Sequence, residues 1–171
     1  MRKLSSLKFA AAALAASAAF GFTSPASAAT ATGELVVTAT VLSSCVVIAV
    51  PMAFLTYSLG QKDATSVITV TCTPDISTYN VALGAGQGTG ATTAVRKMKN
   101  LLGNETLNYS LYKDSGRSQI WGEAGAELQP SSASLDLGLI KTFTVYGRIP
   151  SNQSTGAIGA YADSVTVTVN Y

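Results

Sequence analysis

Hydrophobic and polar residues alternate in short segments along most of this chain, which is the pattern of half-buried β-strands. The clearest segment, 67–72, places Ile68, Val70 and Cys72 on one face and ends at Thr73 and Pro74. Comparable segments lie at 79–83, 107–111, 143–145 and 164–171, a near-continuous apolar run lies at 45–50, and turn-forming residues separate them. With almost no helical period, the pattern predicts one domain, an antiparallel β-sandwich of about seven strands.

Segment 33–41 has the same pattern but no obvious strand partner. Leu35, Val37, Ala39 and Val41 share one face at period two. No tight turn would fold the segment back as a hairpin. Two interpretations stay open: an ordinary first strand of the sandwich, or an extended arm that adds to a sheet in another molecule.

The last strand-like segment runs to the final residue and is expected to turn Val165, Val167, Val169 and Tyr171 inward. In a complete immunoglobulin-like sandwich, one more strand would lie beside it. None follows in this sequence. An apolar arm at one end and an open sheet edge at the other suggest that the two meet between copies.

The N-terminal residues have the three-part layout of a secretory signal peptide. Arg2, Lys3 and Lys8 precede an apolar run at 9–22, and a small-residue cleavage site ends at Ala28. A run of 14 residues is too short to span a bilayer comfortably. We therefore expect an exported chain without membrane insertion, divided into a signal peptide at 1–28, an arm at 29–43 and a domain at 44–171.

Charge argues against nucleic acid and anionic membranes as partners. The chain has 11 Lys and Arg and nine Asp and Glu, and removal of the signal peptide leaves eight basic residues, for a net charge of about −1. The one basic run in the remainder comprises Arg96, Lys97 and Lys99.

Cys45 and Cys72 are the two cysteines, and an oxidising compartment favours their pairing. The closed loop would stabilise the fold by about 3 to 4 kcal/mol on the chain-entropy model. With two thiols and no histidine, the sequence has too few ligands for a structural zinc site. No metal and no other cofactor is predicted.

No catalytic constellation stands out, and we predict that the chain is not an enzyme. The lack of histidine excludes Ser-His-Asp and Cys-His arrangements, although other bases remain open. The carboxylates are interpreted as solvated loop charges, not a glycosidase pair, and the lone Trp121 as packing, not a ligand platform. The carboxylates in question are Glu105, Glu123, Glu127 and Asp136.

Taken together, five segments resemble a known family. They are the arm from Thr32 to Cys45 and the segments 66–72, 107–114, 146–150 and 159–171. The combination of both cysteines with the closing Tyr-x-Asp and Val-Thr-Val-Asn-Tyr pattern is similar to a spore coat protein U domain. More narrowly, it resembles subunits of archaic, Csu-type chaperone-usher pili.

The resemblance implies an incomplete immunoglobulin-like β-sandwich that lacks its last strand and is completed by donor-strand exchange. The donor strand would begin at Gly33 and insert Leu35, Val37, Ala39 and Val41. It would enter an acceptor groove lined by Val165, Val167, Val169 and Tyr171. The small Ala39 suits only a shallow pocket, and the apolar Val36 on the opposite face leaves the register open.

The implied partners are a periplasmic pilus chaperone, an outer-membrane usher and identical or related pilus subunits. The implied function is that of a pilin, exported through the periplasm to the cell surface and serving adhesion and biofilm formation. The alternative is a secreted spore or cell-surface coat protein of the same domain family.

Overall fold

The computed structural model describes residues 32–131, 140–154 and 157–171. The signal peptide expected at 1–28 and the carboxylate Asp136 lie outside these ranges. The chain divides into two compact units between Ala39 and Thr40, and all the strands below belong to the second unit.

The described residues form nine strands and one short 3-10 helix, Gly125–Glu127. In chain order the strands are β1 (Cys45–Ala49), β2 (Lys62–Cys72), β3 (Asn80–Leu83), β4 (Arg96–Asn100), β5 (Thr106–Tyr112), β6 (Gln129–Pro130), β7 (Ile140–Ile149), β8 (Tyr161–Ala162) and β9 (Val167–Asn170).

The strands build two antiparallel sheets. The larger has the order β1-β2-β7-β5-β4-β8, and the smaller has the order β6-β3-β9. The predicted all-β fold class is confirmed. The prediction of about seven strands was incomplete, because β4, β6 and β8 were not anticipated. Two of these are only two residues long, and β4 is rich in basic residues.

The centre of the larger sheet is the long pairing of β2 with β7, from Lys62 opposite Ile149 to Thr71 opposite Ile140. Strand β7 continues through Gly147 and ends at Ile149, directly before Pro150. Glycine is required at position 147 because a Cβ atom would clash with Met52 and lie 2.7 Å from Phe54 Cζ. The residue permits close packing and does not end the strand.

The core lies between the sheets and contains Trp121, which is fully buried. The indole Nε1 donates a hydrogen bond to the carbonyl oxygen of Val81 at 2.9 Å, and the ring packs edge-on against Phe143. The prediction that Trp121 serves packing is confirmed.

Cys45 and Cys72 form a disulfide, as predicted. The two residues lie directly opposite each other in the β1–β2 ladder. The bond therefore fixes the first residue of the first strand to the last residue of the second.

Candidate functional site

A cleft of about 520 Å³ opens into the core beside β1 and the chain leading into β9. Its walls are mostly apolar. One side is formed by 49–54, the other by 161–165 and Val167, and the floor by the inward face of the larger sheet. The floor residues include Ile68, Met98, Tyr109, Leu111 and Val145, and Leu83 of the smaller sheet also lines the cleft.

Two strands with an unpaired edge reach this cleft, β1 through its last residue, Ala49, and β9 through its first, Val167. Within the described ranges, β1 pairs with β2 alone and β9 with β3 alone. A strand edge of this kind presents free backbone N–H and C=O groups. The cleft therefore combines an apolar interior with hydrogen-bonding borders.

The four residues predicted to line an acceptor groove occupy different positions. Val165 and Val167 line the cleft. Val169 is half-buried and packs against the core, while Tyr171 follows the end of β9 and is 61% exposed. Their role in binding another strand stays a prediction.

A polar pair lies at the end of the cleft nearest β8. The hydroxyl of Tyr109 donates to Asp163 Oδ2 at 2.7 Å. Asp163 Oδ1 accepts from the backbone N–H groups of Gln87 and Ser164 at 2.7 and 2.8 Å. Burial, and then the hydrogen bond to Asp163, raise the pKa of the Tyr109 hydroxyl, which keeps it a proton donor.

Gly86 makes the approach of Asp163 possible. Its φ of +87° lies in the left-handed region, and a Cβ atom there would come within 2.8 Å of the Asp163 carboxyl carbon. Glycine satisfies both demands. The 84–90 segment is thus hydrogen-bonded to the chain that leads into β9.

Beneath the cleft, Arg96 is fully buried and ties β4 to the smaller sheet. Its guanidinium donates to four backbone carbonyls, those of Leu83, Gly84, Thr93 and Trp121, at 2.6–2.9 Å. Burial lowers the pKa of this group. In the sequence Arg96 belongs to a basic run with Lys97 and Lys99. The period-two arrangement of Arg96, Met98 and Asn100 is the signal that marks it as an inward-facing residue of a strand.

The predicted donor segment carries no strand over 32–43. Leu35, Val37 and Val41 are 81–89% exposed, and Gly33 and Ala39 are also exposed. The opposite face is open as well, since Val36 is 72% exposed, so exposure alone does not select the inserting face.

The base of this segment is attached to the turn after β2. The backbone N–H of Ser44 donates to Thr73 Oγ1 at 3.1 Å, and the Ser43 hydroxyl donates to Asp75. The bond from Ser43 is the main reason why the pKa of Asp75 lies below its usual value.

Neither a metal site nor a membrane span is found in the described parts of the chain. No three Cys, Asp or Glu side chains lie close enough together there to hold a metal ion. No helix among those residues has the length and apolar character needed to cross a bilayer.

A family model, the Spore Coat Protein U domain, matches residues 30–168. The chain belongs to the Spore Coat Protein U domain family. One relative is Protein U of Myxococcus xanthus, which is 35% identical over 185 residues; the alignment covers 98% of this chain and all of that protein.

This Spore Coat Protein U domain chain also resembles a solved structure, that of the CsuC–CsuE chaperone–tip adhesion subunit pre-assembly complex from the archaic chaperone-usher Csu pili of Acinetobacter baumannii. The TM-score is 0.58 at 25% identity, over 77% of this chain. The match spans 41% of the other chain. Both parts of the predicted resemblance, to the domain family and to Csu-type pilus proteins, are confirmed.

Proposed function

We propose that this protein is a structural subunit of an archaic chaperone-usher pilus, which polymerises by inserting its segment 33–41 into the cleft of a neighbouring copy. The observation that carries the proposal is the apolar cleft bordered by the unpaired edges of β1 and β9. An inserted strand would bury its apolar face against the floor and bond to the free edges.

Such a joint would be durable. Burial of Leu35, Val37 and Val41 contributes about 1.5 to 3 kcal/mol each. Each ladder hydrogen bond adds about 0.5 to 1.5 kcal/mol. Ala39 contributes little and suits a shallow part of the cleft, such as the place where the rings of Phe54 and Tyr109 meet edge to face.

The same cleft gives a reason for a chaperone. An open apolar cleft with free strand edges promotes aggregation unless something covers it. The similar Csu structure is a chaperone–subunit pre-assembly complex, which supports a periplasmic chaperone as the first partner of this protein. An outer-membrane usher would then exchange the chaperone for the next subunit, leading to a surface pilus that serves adhesion and biofilm formation.

The decisive experiment supplies the strand within one chain. Residues 33–41 are copied onto the C-terminus through a short flexible linker, which raises their effective concentration at the cleft to about the millimolar range. We expect a monomer that is soluble without chaperone and melts at a much higher temperature than the unextended subunit. The matched control carries aspartate at the positions copied from Leu35 and Val37. Equal melting temperatures for all three proteins would disprove the missing-strand model.

A coat protein is the second candidate, because Protein U aligns with nearly the whole chain. Chaperone and usher genes beside this gene would favour the pilus. Negative-stain electron microscopy of cells with and without the gene would decide between fibres and a continuous surface layer.

A further inference from the structure

Two exposed leucines stand on a turn whose backbone is firmly held. Leu101 and Leu102, directly after β4, are 64% and 93% exposed. The N–H of Leu102 donates to Asn100 Oδ1 at 2.8 Å, and the N–H of Asn100 donates to the carbonyl of Glu105 at 2.9 Å. Asn100 itself is buried, so the turn is anchored and its leucines project outward.

A second loop adds a third apolar side chain to this surface. The N–H of Leu101 donates to the carbonyl of Ala160, which brings the 157–160 loop beside the turn. Ile158 in that loop is fully exposed. We call Leu101, Leu102 and Ile158 the apolar rim.

The apolar rim adjoins the cleft. A shallow depression of about 370 Å³ is lined by residues 99–104 together with Ala162. Ala162 also lines the cleft. The depression beside the leucines therefore continues from the end of the cleft nearest β8.

Strand direction determines what would cover the rim. Strand β9 runs away from β8, and both existing sheets are antiparallel. A strand added antiparallel to β9 would therefore run towards β8 and end near it. Val41, at the end of an inserted arm, would then emerge beside the rim.

The chain after Val41 is too short to carry the second domain away. From Val41 to Cys45 the Cα atoms can span at most about 14 Å. Cys45 already belongs to β1 and is fixed by its disulfide. Moreover, Ser43 and Ser44 are bound to the 73–75 turn of their own domain.

We propose that the apolar rim is the seat for the arm base of a neighbouring copy, made of Leu42 and the turn 73–75. Leu42 is 75% exposed and directly follows the last inserting residue. This inference rests on the proposed function, and it adds a second contact outside the cleft. With one contact inside the cleft and one at the rim, consecutive domains meet at a defined angle.

A photo-crosslinking residue at position 102 tests the contact in fibres purified from cells. We expect crosslinks to a neighbouring copy within residues 40–45 or 73–78. The control places the same residue at position 59, where Leu59 is exposed at 58% but lies outside the strands and outside the lining of the cleft and of the depression. Crosslinks from position 102 to other regions, or none in assembled fibres, would overturn the proposal.

Fibre stiffness gives a second readout that separates the two proposals. The double variant Leu101→Ser, Leu102→Ser is expected to form fibres, with a shorter persistence length in electron micrographs than wild type or the control Leu59→Ser. Unchanged stiffness would overturn the rim contact and leave strand insertion standing. If wild-type cells make no fibres, or if Val37→Asp fibres assemble normally, strand insertion fails and the rim contact fails with it.

Discussion

The guanidinium of Arg96 donates a hydrogen bond from Nη2 to the carbonyl oxygen of Trp121 at 2.7 Å, and both side chains are fully buried. The same nitrogen donates to the carbonyl of Leu83, and Nε donates to that of Gly84. One side chain from the larger sheet thus satisfies carbonyl groups on and beside β3 of the smaller sheet. Since buried polar groups are costly when unpaired, this arginine holds the two sheets in one arrangement.

Replacing Arg96 should therefore destabilise the domain strongly. Arg96→Met leaves several buried carbonyls without a donor, and we expect it to lower the free energy of unfolding by about 3 kcal/mol or more. Urea denaturation of the subunit carrying its own copied strand measures this loss. The control Lys99→Met changes an exposed residue of the same strand and should stay within about 0.5 kcal/mol of wild type. Equal losses for both variants would contradict the bracing role.

A charged residue should block polymerisation when it is placed on the inserting face of the arm, but not when it is placed on the opposite face. Val37→Asp puts a carboxylate into an apolar cleft, which is costly, so polymers should be lost while chaperone binding is kept. Leu35→Asp should act in the same way. Val36→Asp is the matched control, because Val36 lies on the other face of the arm. Polymers are detected as SDS-resistant ladders on gels. If Val36→Asp alone abolishes them, the inserted register is shifted by one residue and Val36 faces the cleft.

The disulfide should support subunit yield. Cys45→Ser or Cys72→Ser removes a link across 27 residues, and the loss should be about 3 to 4 kcal/mol on the chain-entropy model. Periplasmic yield should fall for each variant, and the double variant should be no worse than either one. Thiol titration of purified, non-reduced wild type checks the premise, since two free thiols would refute it.

Acid should weaken the contact between Asp63 and Arg148. Arg148 Nε and Nη2 donate to the Asp63 carboxylate at 2.8 and 2.9 Å, and these bonds lower the pKa of Asp63. A lowered pKa in the folded state means stability that is present at neutral pH and lost as the pH falls through that pKa. Because Asp63 is partly exposed, the contribution should stay below about 1 kcal/mol.

Melting temperatures at pH 7 and pH 2 test this expectation. Asp63→Asn should lose less stability on acidification than wild type. Its effect and that of Arg148→Met should sum to more than the loss in the double variant, because both remove the Asp63–Arg148 pair. Asp63→Asn also removes the contact of Arg117 Nη1 with Asp63 at 3.4 Å. If the stability losses of the two variants add up at pH 7, the Asp63–Arg148 pair has no interaction energy.

Sequence alone predicted the strands whose side chains alternate cleanly. Around Ile68 and Val70 burial follows the period of two, and in β5 the alternating residues Leu107, Tyr109 and Leu111 are all buried. The boundaries were less well predicted: β2 begins five residues before Val67, where Lys62 to Ser66 look polar yet pair with β7. Pairing partners far apart in sequence decide such ends.

The parts that failed depend on contacts that no local pattern shows. Strand β4 looks basic, and only the carbonyls gathered around Arg96 explain its burial. Gly147 looks like a strand end, and only Met52 and Phe54 explain why a glycine continues the strand. The cleft itself is formed partly by Pro51, Met52 and Phe54, for which the sequence pattern predicted no role in a site.

The disulfide also determines how tension would pass through the domain. The arm joins the domain at Cys45, the first residue of β1. A force on the arm would begin to separate β1 from its sheet at this residue. Because Cys45 is bonded covalently to Cys72, a pull on the arm is transferred to β2, the most extensively paired strand of the larger sheet. The five residue pairs between β1 and β2 are thereby protected from opening one after another under load.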